Sequence, residues 1–214
     1  MTARPSLEIV HPAIEEYLKG LAPDPDPVLK EMEVLAESRS FPIVGPLVGR
    51  LLTLLALAVG ARRILELGSG YGYSAYWFAR GLPPDGEIVC TEYSEENARR
   101  ARQFFARGGI RQRITFEVGE ALELVERHPG PFDIIFMDID KESYPEAFPK
   151  LLPRLRAGGL LITDNMLWSG AVVRPAADAA TRGIQAYTRL LYGSQELSTV
   201  ILPLRDGVSV SLKR

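Results

Sequence analysis

RILELGSGYGYS, residues 63–74, is the stretch whose reading decides the fold. Its apolar start, 64–67, reads as a buried parallel strand. The chain then turns through Gly68, Gly70 and Gly72 into a helix carrying Trp77 and Phe78. Three glycines in five positions leave no Cβ to hold a ligand off the backbone, and they permit positive φ in the turn. The helix start beyond them offers unpaired N–H groups and the positive end of a dipole. A strand, a glycine turn and a helix in this order make a pocket for a nucleotide-like cofactor at the carboxyl end of a strand.

Outward from this unit the chain alternates. Strand-like runs lie at 64–67, 87–92, 114–118, 133–138, 160–163, 198–202 and 208–212, and helical patterns at 73–80, 95–107, 120–127, 144–154 and 177–191 fill the first five gaps. Such alternation predicts a doubly wound α/β fold, its mostly parallel seven-stranded sheet covered by helices on both faces. The last two runs, joined by the short turn PLRDG, read as a hairpin that makes the final strand antiparallel. The first sixty residues read as helices. Ser6 caps a segment with Ile9, Ile14, Tyr17 and Leu18 at helical spacing, ended by Gly20; a second begins at Pro27 beyond the proline-rich joint and runs to about Ser38; a third covers 48–59. The expected organisation is a single domain, with a helical cap over 1–60 and an α/β core over 61–214.

Composition narrows the class. The 214 residues carry a formal net charge of −2, which argues against a large basic nucleic-acid footprint. The apolar run 51–59 is too short to cross a bilayer, and residues 1–10 lack the pattern of a secretory leader. Cys90 is the single cysteine, so no disulfide forms within the chain, and a cytoplasmic setting is expected.

Chemistry is concentrated at the strand ends. Glu92 closes the second run, where an acid can receive the vicinal hydroxyls of a ribose or support the next helix start. FDIIFMDIDK ends its apolar run at Asp138, with Asp140 and Lys141 beyond it, and GLLITDN ends at Asp164 and Asn165. In a parallel sheet these ends share one edge with the glycine turn. Three hard oxygen donors there suit Mg²⁺, Mn²⁺ or Ca²⁺; alternatively, Asp138 and Asp164 simply cap helices. His11, His128 and Cys90 lie outside this group, so zinc has little support. Lys141 is one of only five lysines and stands three residues after Asp138, placed to act as a general base beside a cation. Trp168 can wall an aromatic pocket. Tyr71, Tyr73, Tyr76 and Trp77 read as a mixture of core and cofactor cover. Arg99, Arg100 and Arg102 read as a solvated face paired with Glu95 and Glu96.

Taken in order, LELGSGYGYS, FMDIDKESY, LLITDNMLWSG and DGVSVSLKR make the chain resemble the class I, cation-dependent O-methyltransferases that use S-adenosylmethionine, the catechol and caffeoyl-CoA type. The resemblance runs from about Phe41 to the C-terminus and implies a Rossmann-like methyltransferase fold. It implies cofactor contacts from Val44, Glu66, Gly68, Gly70, Ser74, Glu92, Glu120, Ala121 and Asp138, with Glu66, Gly68 and Ser74 at the methionine end. Glu92 would then sit on the ribose, Glu120 and Ala121 beside the adenine, and Phe41-Pro42-Ile43-Val44 over the methionine. It further implies Asp138, Asp164 and Asn165 as ligands of a divalent cation, Mg²⁺ foremost, Lys141 as the catalytic base, and Asp140 near metal or substrate. The implied acceptor is a small catechol-like or phenylpropanoid hydroxyl; the implied assembly is a homodimer. One departure stands out: the family usually has an acid before the glycine of the next helix, and this chain has Val48-Gly49-Arg50.

Three other readings compete. A NAD-dependent dehydrogenase shares the glycine turn and the ribose acid, and gives no reason for the Asp138, Asp164 and Asn165 group. A nucleic-acid methyltransferase on the same fold sits poorly with the mild acidity. A catalytically silent partner-binding protein needs none of these side chains.

Overall fold

The computed structural model describes residues 7–21, 26–176 and 178–214. Five strands pair in parallel: β1 (Arg63–Leu67), β2 (Glu87–Glu92), β3 (Arg113–Val118), β4 (Phe132–Met137) and β5 (Leu155–Thr163). Two more, β6 (Leu197–Leu202) and β7 (Val208–Lys213), form the terminal hairpin, and the order across the sheet is β3-β2-β1-β4-β5-β7-β6. β7 therefore inserts between β5 and β6 and runs antiparallel to both. The order reverses between β1 and β4, and a crevice opens at the carboxyl ends of such neighbours.

Burial explains the apolar runs. β1 and β2 are covered on both faces, so they read as continuous rather than alternating apolar segments. On one face Ile64, Ile88, Ile134 and Ile162 pack beneath α2 (Pro27–Arg39), α3 (Gly45–Ala58), α4 (Tyr73–Gly81) and α5 (Glu95–Arg107). On the other, Leu65, Val89, Ile135, Met137 and Leu161 pack beneath α6 (Ala121–Leu124), α7 (Tyr144–Leu151) and α8 (Ala179–Gly193). Several helix starts are written locally. Asp26 accepts the Val28 N–H at 2.8 Å with Pro27 in the first turn, Ser94 Oγ accepts the Asn97 N–H at 3.3 Å, and Asp178 accepts the Thr181 N–H at 2.7 Å.

The structure departs from the sequence reading in four places. The first helix, α1 (Pro12–Leu21), starts after His11, whose Nδ1 accepts the Ala13 N–H at 3.2 Å; the proposed cap Ser6 lies outside the described residues. None of its residues is buried, and Ile14, Tyr17 and Leu21 stand exposed, so its apolar spacing does not mark a core face. α3 begins three residues earlier than expected, with Pro46 in its first turn. β5 begins at Leu155 rather than 160: it runs through Gly158 and Gly159, residues that weaken a strand pattern, and its pairing with β4 shifts register there. The helix expected from 177 starts at Ala179, and Ala177 itself lies outside the described residues. Among the described residues no helix is long and apolar enough to cross a membrane.

Candidate active site

The glycine turn is set by a neighbouring strand as much as by any ligand. Gly68 has φ +80°, and a Cβ there would lie 2.2 Å from the Asp138 carbonyl oxygen, so only glycine lets β1 and β4 end side by side. Gly68 and Ser69 both donate to the Thr91 carbonyl, at 3.1 and 2.9 Å, tying the turn to β2. Gly72 faces the core: a Cβ there would meet the Phe105 ring at 2.8 Å. The expectation that all three glycines clear space for a ligand therefore holds for the cleft-lining Gly68 and Gly70 and not for Gly72.

These ends enclose a cleft of about 550 Å³, within the usual range for small-molecule sites. Val44, Gly68, Gly70, Ser74, Glu92, Glu120, Ala121 and Asp138 line it, together with Asp140, Lys141, Asn165 and Trp168. Glu66 lies behind the wall, fully buried, where its carboxylate accepts from Ser74 Oγ. Its Oε2 has no hydrogen-bond partner among the described residues, and burial pushes its pKa up to about 8. Glu92 performs the supporting role proposed for it. Its Oε2 accepts the Gly70 N–H at 2.8 Å, and its Oε1 accepts Ser94 N–H at 2.9 Å and Asn97 Nδ2–H at 3.0 Å. A carboxylate has about four acceptor directions, so roughly one, on Oε2, is left facing the cleft. Glu120 caps α6 by accepting the Glu123 N–H at 2.8 Å. The Phe41 ring lies tilted against Tyr71, with 4.8 Å between ring centroids and 44° between planes, and the strap 41–44 lines the cleft.

The departure at Val48-Gly49-Arg50 is a packing feature. Val48 is buried, Gly49 lies against the Trp77 indole, and the Arg50 guanidinium stands 5.5 Å above that same ring. Tyr71 of the turn and the tyrosines of α4 reach toward α2: Tyr71 donates to the Met32 carbonyl at 3.0 Å and Tyr73 to Glu33 at 2.5 Å, while Tyr76 donates to Asp26 at 3.2 Å. Arg100 and Arg102 pair with Glu96 and Glu95 as expected, and Arg100 holds the Glu96 carboxyl below its ordinary value.

The opposite wall carries charge with less support. Asp138 follows β4, its N–H bonded to the Leu67 carbonyl, and Asp164 follows β5, its N–H bonded to the Met137 carbonyl. Lys141 Nζ donates to Asp138 Oδ1 at 2.7 Å and to the Ile139 carbonyl at 3.0 Å, and it lies 5.5 and 5.9 Å from the Tyr144 and Trp168 ring centroids. Asp164 is buried, and among the described residues neither carboxylate oxygen has a hydrogen-bond partner. Arg205 Nη1 stands 3.6 Å from Oδ2, beyond hydrogen-bond reach. Burial, then the charge of Asp138, holds the Asp164 carboxyl well above the ordinary range. Asn165, in the left-handed region at φ 56°, donates its amide to Asp206 at 3.3 Å. Among the described residues no three His, Cys, Asp or Glu side chains form a metal cluster. The oxygen group here is two carboxylates and an amide.

Arg205, which lines the cleft, and Asp206, which holds the Asn165 amide, are residues that the sequence reading did not place at the site, since it saw in PLRDG only a turn. Charged residues in a hairpin loop are ordinary; what places them is the insertion of β7 beside β5, which lands this loop on the carboxyl end of β5.

Comparison with known proteins now decides the family. Residues 24–214 match the family model described as O-methyltransferase. The chain belongs to this family. It is 33% identical to a catechol O-methyltransferase of Niastella koreensis, covering 94% of this chain and 96% of that one. It is 31% identical to caffeoyl-CoA O-methyltransferase 1 of Zea mays, covering 76% and 68%. A Bacillus cereus O-methyltransferase solved in complex with SAH superposes with a TM-score of 0.86 at 31% identity, over 94% and 97% of the two chains. The seven-stranded sheet with its antiparallel last strand is thus a Rossmann-like methyltransferase fold, and the dehydrogenase reading of the glycine turn is set aside.

Proposed function

We propose that this O-methyltransferase moves a methyl group from S-adenosylmethionine to one hydroxyl of a small catechol-like or phenylpropanoid acceptor, with a divalent cation held by Asp138, Asp164 and Asn165. One observation carries the reading: Asp164 is a carboxylate buried just behind the cleft wall, with no hydrogen bond to either oxygen among the described residues, and it feels the charge of the cleft-lining Asp138. A fold does not leave such a charge uncompensated without cost, and a cation supplies the missing partner. Two carboxylates and an amide are hard donors, which favours Mg²⁺ over zinc. When bound, the cation supplies charge that stabilises an acceptor oxyanion.

The remaining work falls to the chain. The glycine turn, Glu92 and the strap 41–44 hold the donor so that its sulfonium methyl lies in line with the acceptor oxygen, and positioning of this kind accounts for much of the rate. Glu120 and Ala121 flank the far end of the same cleft, where a nucleoside base would lie. Lys141 Nζ takes the proton of the attacking hydroxyl. The new O–C bond forms as the S–C bond breaks, its electron pair stays on sulfur, and S-adenosylhomocysteine leaves with the methyl ether. Ile43, Tyr71, Ile139 and Trp168 wall the cleft with apolar surface that excludes water.

The test is methyl-ether formation from S-adenosylmethionine with a panel of catechol, caffeate and caffeoyl-CoA, in MgCl₂ and in EDTA. Product that disappears in EDTA and returns with MgCl₂ is expected. Full activity in EDTA overturns the cation's part; no product from any phenol overturns the acceptor class.

A further inference from the structure

DGVSVSLKR opens with Asp206 and Gly207, and the catalytic roles assigned so far leave both unused. Their geometry is unusual for a hairpin loop. Asp206 Oδ1 accepts the Ser169 backbone N–H at 2.5 Å, while Oδ2 accepts Asn165 Nδ2–H at 3.3 Å. The backbone adds two more ties: Leu167 N–H to the Asp206 carbonyl and Met166 N–H to the Gly207 carbonyl, both at 2.9 Å. One carboxylate thus holds both ends of the segment from Asn165 to Ser169. That segment is strained, with Asn165, Trp168 and Ser169 all at positive φ, 56°, 47° and 49°. Strain of this kind persists only where surrounding contacts over-determine it.

The chemical consequence lies in the Asn165 amide. An ionised carboxylate only accepts, so it can face only the NH₂ end of that amide. The carbonyl end, Oδ1, is thereby turned away from Asp206. We propose that Asp206 is a positioning residue, which fixes the Asn165 amide so that Oδ1 faces the Asp138 and Asp164 side of the cleft as a cation ligand. The inference rests on the cation site proposed above. Groups that orient a ligand from behind typically change metal affinity about 10–100-fold when lost.

Two substitutions separate positioning from simple stapling. In Asp206→Asn, a near-isostere, one amide end keeps the Ser169 N–H while the other presents NH₂ to the Asn165 NH₂. Two donors cannot pair, so Asn165 must flip and withdraw Oδ1. Asp206→Ala removes both bonds and leaves the amide free to turn. A staple predicts greater harm from Ala than from Asn in every measurement. Positioning predicts the reverse order for cation affinity alone, with Asn at least as damaging as Ala, while thermal stability still ranks Asn above Ala.

The experiment is isothermal titration of each purified protein with MgCl₂, alongside NMR of protein labelled with ¹⁵N-asparagine. The wild-type chain has only Asn97 and Asn165, so two side-chain amide pairs appear in it and in Asp206→Ala; Asp206→Asn adds a third, its own, and the Asn165 pair is identified against the wild-type spectrum. Expected are a wild-type Asn165 pair that responds to Mg²⁺ and an Asp206→Asn variant with affinity about 10–100-fold weaker and a lost amide response. Wild-type affinity and amide response in Asp206→Asn overturn the positioning role while leaving the cation site standing. No Mg²⁺ binding by the wild-type protein overturns the cation site, and this inference with it.

Discussion

Glu92 and Asp164 are carboxylates that follow parallel strands along the same edge, and the fold treats them in opposite ways. Glu92 takes three hydrogen bonds from its own surroundings, two from backbone N–H groups and one from the Asn97 amide. Among the described residues Asp164 takes none on its carboxylate, is more deeply buried, and has only Arg205 within 4 Å as a charge partner. A buried polar group left unpaired costs about 1–3 kcal/mol, more when charged, a sizeable share of the roughly 5–15 kcal/mol that holds a domain together. The donor side of the cleft is organised by the chain itself. The charged side needs a partner that the polypeptide does not supply.

Three measurements press on that contrast. The greatest effect is expected at Lys141, which pairs with Asp138 on the charged side. Lys141→Ala should slow methyl transfer by about 10²–10⁴-fold, the range for a lost general base, with Mg²⁺ binding retained by titration. An unchanged rate would reassign the base. Next comes Glu92→Gln, which turns an NH₂ toward one of the three donors. The KM for S-adenosylmethionine should rise about 10–100-fold, as expected for losing a hydrogen bond to a charged group, with kcat at saturating donor within a few-fold of wild type. A collapse of kcat at unchanged KM would show that the two sides do not act separately.

The smallest effect concerns Glu66, which shares the burial of Asp164 but sits behind the donor side. Its carboxyl is raised from 4.5 to about 8 by burial. Between those values the folded protein holds a proton that the unfolded chain has released, so this group makes stability fall as pH rises through the window. Thermal unfolding of the cofactor-free protein at pH 6 and pH 8.5 should therefore show a smaller decline for Glu66→Gln than for wild type. Equal declines would place the buried cost elsewhere.

Much of this was readable before any coordinates. The run 64–67, the glycine turn and α4 follow from local chemistry, as does the start of α2 at Pro27. Asp138, Asp164 and Asn165 announced themselves by ending apolar runs. The reading failed where local signal and tertiary placement part company. The stripe of Ile14, Tyr17 and Leu18 forms a helix as its spacing predicts, but spacing alone did not say that none of that helix would be buried. The start of β5 was hidden by two glycines whose place in the sheet is set by partner strands. Glu66 and Ser74 stood among the expected cofactor contacts, but only Ser74 reaches the wall.

Residue order alone determined the alternation of strands and helices, the turn at Gly68 and the acids at strand ends, because each is written within about ten residues of chain. Tertiary structure decided that β7 lies between β5 and β6, and hence that Asp206 meets Asn165 across 41 positions. Strand order depends on which faces find one another in the packed sheet, and no local periodicity encodes that choice. The burial of Asp164 belongs to the same category: a carboxylate's neighbours, not its place in the chain, determine whether its charge is met.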